Sequence, residues 1–82
     1  MRLDKFLKVS RLIKRRTVAN EISTAGRVQV NGRTAKPGTE VKPGDVLEIR
    51  FGTGATRVRI LDLRETVRKN EAEQLYEILP ED

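Results

Sequence analysis

The chain has 82 residues, 37% hydrophobic and 35% charged, with 17 Lys and Arg against 12 Asp and Glu and a pI near 10.1. It contains no Cys, which excludes disulfides and thiolate chemistry, and no His, which removes the commonest general base and the commonest zinc ligand. No apolar run approaches the roughly 18 residues of a membrane span and MRLDKFLK has no signal-peptide core, so the expectation is a small cytosolic protein without membrane, structural metal or cofactor.

In chain order, Leu3, Phe6, Leu7 and Ser10 fall at the i, i+3, i+4, i+7 spacing of one helix face, predicting a first helix over residues 2–9. Asp4 suits its first turn and can pair with Lys8 one turn on. A second helix is expected from about Arg15 to Ala25, with Val18, Ala19, Ile22 and Ala25 inward and Gly26 as the left-handed residue that ends it. RVQV then alternates at period two into Asn31-Gly32, the preferred dipeptide of a tight hairpin turn, and RTAK is the return strand. Turns follow at Lys36-Pro37-Gly38 and Lys42-Pro43-Gly44-Asp45. VLEIRF (46–51) reads as a strand, Gly52-Thr53-Gly54 as a turn and TRVRILDL (56–63) as another strand. Asn70-Glu71-Ala72-Glu73 resembles a capping box with Asn70 in the cap, which predicts a short C-terminal helix through Tyr76, ending in EILP. The fold class is α+β, two N-terminal helices on a small antiparallel sheet.

The chemistry of an enzyme is poorly represented. Asp4 and Glu21 read as helix-surface acids, Asp45 and Glu48 sit in or beside a turn, and Ser10 has no histidine to activate it. FGTGAT lacks the GK[ST] ending of a nucleotide loop and lies between two strands, so it is read as a hairpin turn rather than a small-molecule site.

Charge is more informative. Residues 1–36 hold ten Lys and Arg against two acids, net +8, whereas residues 37–82 hold seven against ten, net −3. Arg2, Lys5, Lys8, Arg11, Lys14, Arg15 and Arg16 crowd the first sixteen positions. Cations before a helix start oppose its dipole, at about 0.3–1 kcal/mol each, but strengthen the anion site formed by its free N–H groups. Such clustering predicts a polyanion ligand. Phe6, Phe51 and Tyr76 are the whole aromatic complement, too few for membrane insertion or for base stacking on single strands. Asn20 could read a base edge, but the helices lead into a hairpin rather than a third helix, unlike the usual major-groove readers. Structured RNA, gripped by shape and phosphate, fits best.

The order RLDKFLKVSRLIKRR, VANEISTAGRVQVNG, KPGTEVKPGD closely resembles the S-four-type RNA-binding domain over residues 1 to about 51. That resemblance implies two helices on a strongly bent sheet, with residues 52–82 completing the same domain as a strand and short helix. The full length, with its EAEQLYEIL-like ending, resembles the YabO or RqcP family of bacterial ribosome-associated quality control, related to the small heat-shock ribosome-binding protein. The basic tail of that heat-shock relative has no counterpart after Asp82, which favours the former. The resemblance implies a non-enzymatic factor that binds stalled large ribosomal subunits. Its partners would be large-subunit rRNA at the hairpin called helix sixty-nine, P-site peptidyl-tRNA, and the alanine-tailing factor RqcH. Carried over residue by residue, it implies that Arg2, Lys5, Arg11 and Arg16 contact RNA, that Lys8, Lys14 and Arg15 add charge, and that Asp4 orients a neighbouring arginine.

Overall fold

The computed structural model describes residues 1–80. Helix α1 (Leu3–Val9) buries Leu3, Phe6 and Leu7 completely. Ser10, next on that face, is also buried, its hydroxyl donating to the Leu7 carbonyl. The start of α1 is closed by main-chain acceptors from a distant loop, the Leu3 N–H donating to Thr39 O (2.8 Å) and the Asp4 N–H to Pro37 O (3.1 Å). Residues 1–3 thus lie along residues 39–41, a pairing extended by the Val41 N–H to Met1 O and by the Met1 ammonium to Glu40.

Helix α2 (Arg16–Thr24) ends as its glycine predicts. Gly26 has φ +78°, its N–H donates to Ser23 O, and the Arg27 N–H donates to Ile22 O, the double bond of a Schellman stop. Its inward face is narrower than the sequence suggests. Ala19 and Ser23 are buried and Ile22 half-buried, but Val18 and Ala25 are exposed. Only one stripe of so short a helix meets the core, and Ser23 joins it by donating its hydroxyl to Ala19 O at 2.7 Å.

The strands are β1 (Val28–Val30), β2 (Arg33–Thr34), β3 (Val46–Phe51), β4 (Gly54–Ile60) and β5 (Tyr76–Leu79), in the antiparallel order β2-β1-β3-β4-β5. Asn31 and Gly32 both take positive φ between paired Val30 and Arg33, the requirement of the tight hairpin. Asn31 and Asp45 join this turn to the next. The Asn31 amide donates to Asp45, Asp45 accepts the Lys42 N–H, and Asn31 Oδ1 accepts the Val46 N–H. Val28, Leu47, Ile49, Val58 and Ile60 face the helices and, with Leu3, Phe6 and Leu7, form the core.

The C-terminal elements depart from expectation. β4 begins at Gly54 and stops at Ile60, because the Leu61 N–H turns to Leu75 O. The helix is a 3₁₀ segment, Lys69–Leu75, capped two residues earlier than expected: the Arg68 N–H, not that of Asn70, donates to the capping glutamate, Glu71. The YEIL segment is not the helix's end but strand β5, paired with β4 from Arg57↔Leu79 to Ile60↔Tyr76.

A second departure holds the helices together. Asp4 is not a surface acid but 2% exposed, and its partner is not Lys8. Arg2 donates to both carboxylate oxygens (3.2 and 3.3 Å), the Lys5 N–H donates at 2.8 Å, Asn20 of α2 at 3.4 Å, and Arg16 of α2 at 3.5 Å. Burial pushes this carboxyl up, but the hydrogen bonds from Asn20 and Arg2 and the charge of Arg16 outweigh it, so it titrates below its ordinary value. A depressed carboxylate stabilises the fold fully above its unfolded value of about 3.9 and ceases to as pH falls through the lower folded value. Asp4→Asn is therefore expected to destabilise the protein by about 1–3 kcal/mol near neutrality. Thermal melts should show the gap from the parent closing as pH drops below about 4. Equal melting at pH 7 would show that the clamp contributes nothing.

Candidate nucleic-acid interface

Of the seven cations singled out in the sequence, Arg2 lies just before α1 and the other six lie on α1, on α2, or on the turn between them, and the structure sorts them into two groups. Arg2 and Arg16 converge on Asp4, yet about half of each side chain stays exposed (50% and 48%). A guanidinium has five donors, so each arginine keeps N–H groups for an outside ligand while Asp4 fixes its position. The Arg2 guanidinium also lies against Gly38, where an added Cβ would meet it at 3.9 Å.

Lys8, Arg11 and Lys14 line a second feature, a groove of about 190 Å³ closed on its other side by Glu65, Thr66 and Val67. Lys5 stands at its margin, paired with the exposed Glu65, whose carboxyl is held below its usual range first by the Lys5 hydrogen bond and then by the lysine charge. Arg15 is exposed at the entry to α2. That helix start has no side-chain cap and no acid in its first turn. The start of α1 is by contrast already filled by the 37–39 loop.

Arg11 is held in an unusual backbone conformation, φ +60°, at the position after the end of α1 where glycine is the common choice. A non-glycine residue there costs about 1–2 kcal/mol. Its N–H bonds Lys8 O and the Ile13 N–H bonds Leu7 O, so the turn is locked from both sides and the arginine is aimed by the backbone.

Two neighbours of these side chains were not legible as such in the sequence. Asn20, considered for base reading, instead donates to Asp4. Glu65, sixty residues from Lys5, carried no local signal at all. Elsewhere several arginines pair locally: Arg50 with Glu48 (3.2 Å), Arg59 with Glu77 (2.6 Å), and Arg64 with Asp62 (3.0 Å) and Glu71 (3.6 Å). Among the described residues, Lys8, Arg11, Lys14 and Arg15 have no acid within 4.0 Å. The arrangement therefore offers fixed guanidinium donors, unpaired cations and an uncapped helix start, a set suited to phosphate.

Known proteins place this geometry. The S4 domain matches residues 1–47. The RQC P-site tRNA stabilizing factor of Halalkalibacterium halodurans is 61% identical over 82 residues, covering 100% of this chain and 93% of that protein. Its namesake in Bacillus subtilis is 54% identical over the same span, covering 95% of that protein. The one in Streptococcus pneumoniae is 51% identical over 81 residues, covering 99% of this chain and 92% of that protein. The fold is similar to the trimeric structure of Vibrio cholerae Heat Shock Protein 15, with TM-score 0.89 and 34% identity over 96% of this chain and 81% of that one. It also matches the solution structure of a hypothetical protein, with TM-score 0.83 and 31% identity over the whole of both chains. The chain belongs to the S4-domain family of RQC P-site tRNA stabilizing factors.

Proposed function

We propose that this protein is a non-enzymatic, cytoplasmic factor of ribosome-associated quality control. It binds large ribosomal subunits that retain peptidyl-tRNA, contacts rRNA and the P-site tRNA, and supports alanine tailing by RqcH. Residues 1–51 supply the RNA contacts and residues 52–82 complete the domain. The observation that carries this reading is the cluster of unpaired and half-paired cations on α1, the turn and the start of α2, in a chain matched end to end by P-site tRNA stabilizing factors. Arg2 and Arg16, held by Asp4, act as aimed donors. Lys5, Lys8, Arg11, Lys14 and Arg15 add phosphate contacts around the groove. A phosphate docked there relieves the repulsion that the free protein tolerates at the start of α2. The likeness to Heat Shock Protein 15 supports a second reading, a factor that rescues large subunits with trapped peptidyl-tRNA without supporting tail addition.

Sedimentation of tagged protein from gently lysed cells tests the assignment. Recovery on free large subunits with peptidyl-tRNA and RqcH supports the tailing factor, recovery without RqcH supports rescue, and migration with DNA or only at the top of the gradient overturns both.

With about six phosphates contacted, log affinity should fall against log salt with a slope near −4 to −5, and a slope near zero would remove the electrostatic account. Lys8→Ala with Lys14→Ala should make that slope shallower by about 2, with little change in melting temperature. Arg16→Ala should weaken binding while the protein stays folded, since Arg2 and Asn20 still hold Asp4.

Arg11→Gly separates the two roles of its position. Relief of the left-handed strain should stabilise the fold by about 1 kcal/mol, while loss of the cation weakens binding to purified large subunits. A variant both less stable and unchanged in binding would contradict the assignment.

A further inference from the structure

The face of the sheet turned away from the helices carries a second basic feature. Strand side chains alternate, so with Leu47, Ile49 and Val58 in the core, Glu48, Arg50 and Arg57 stand on the opposite side. The register sets Glu48 between Gln29 and Arg57. One step beyond the Val28↔Ile49 pair, Arg27 lies across from Arg50, whose N–H donates to the Arg27 carbonyl at 2.9 Å. Two like charges directly opposite each other weaken an antiparallel pair. Beside them the β3–β4 turn, through Gly52 and Gly54, walls a cavity of about 580 Å³ shared by Glu48, Arg50 and Arg57. Arg50 bonds Glu48 at 3.2 Å, and Arg57 has no acid within 4.0 Å among the described residues. Arg50 and Arg57 thus flank one glutamate, with Arg27 on the same face across from Arg50.

We propose that this outer face is a second RNA-phosphate site, separate from the helices, so that one chain holds two RNA segments on opposite sides of its sheet. The inference rests on the RNA-binding reading above. Arginine forks match phosphate oxygens in pairs, and a phosphate lying between Arg27, Arg50 and Arg57 removes the cross-strand repulsion. A protein partner would want an apolar anchor in such a cavity. The exposed Phe51, by the same alternation, belongs to the other side of the sheet.

The test is a bridging assay with a short RNA hairpin as the probe. One copy is immobilised, the protein is bound to it, and capture of a second, fluorescent copy is read. The parent is expected to capture the second hairpin. The Arg27→Gln, Arg50→Gln, Arg57→Gln variant is expected to bind the immobilised hairpin and lose most of that capture. Arg27→Gln alone, at an exposed position, should weaken capture without touching the packing, which keeps the test valid if the triple variant unfolds. A parent that binds the first hairpin but captures no second overturns the inference and leaves the RNA-binding reading standing. Undiminished capture by the outer-face variants overturns it too, since another surface or self-association would then be bridging. A parent that binds no hairpin overturns the RNA-binding reading itself.

Discussion

The buried carboxylate of Asp4 is the contact on which the rest of the interface depends. It draws donors from the chain just before α1, from α1 itself, and from the first two turns of α2. Removing a charge from water is unfavourable, and a lone carboxylate at 2% exposure would take up a proton instead. Two arginines and an amide reverse that preference. The same bonds fix the arginines, whose long side chains otherwise lose rotamer freedom whenever they meet a ligand. A guanidinium already held in place loses less on binding, so a stabilising contact of the fold is also what prepares the surface.

This explains why the start of α2 tolerates its cations. Arg16 opposes the helix dipole but faces Asp4 across the helix pair, so part of the penalty is offset inside the protein. Lys14 and Arg15 have no such partner among the described residues. Arg11 adds backbone strain in the same turn. Unfavourable terms are thus gathered between Lys8 and Arg16, while the C-terminal half pairs Arg50, Arg59 and Arg64 with local acids and supplies three of the five strands. Strain and uncompensated charge gathered in one turn is how small domains carry a binding site.

The parts of this design legible in the sequence are those set by short-range rules. The Leu3, Phe6, Leu7 stripe gives α1, Gly26 gives the end of α2, and Asn31-Gly32 gives the first hairpin, each from spacing or from a φ requirement. The density of Lys and Arg is equally visible, and it points to a polyanion. What was hidden depends on distant partners. Asp4 reads as a surface acid because its i+4 neighbour is Lys8; its burial follows from Arg16 and Asn20, twelve and sixteen residues on. Glu65 meets Lys5 only because residues 61–68 return across α1. Val18 looks like a core residue by periodicity, yet it is exposed, because only one stripe of so short a helix meets the core. The YEIL segment reads in the sequence as the end of a helix; the open edge of β4 makes it a strand instead, since pairing there satisfies its main chain.

Separation of the two basic faces is a consequence of the sheet. Alternation along β3 and β4 sends Leu47, Ile49 and Val58 toward the helices and Glu48, Arg50 and Arg57 away, with no residue able to serve both sides. The shortest dimension of the molecule is 21 Å. Charges exposed on opposite sides are screened through solvent over about 8 Å at physiological salt. Phosphates held at α1 and α2 would therefore do little to repel phosphates approaching the outer face. A layered domain of this size can hold one polyanion without closing itself to another, which a single continuous basic patch could not do.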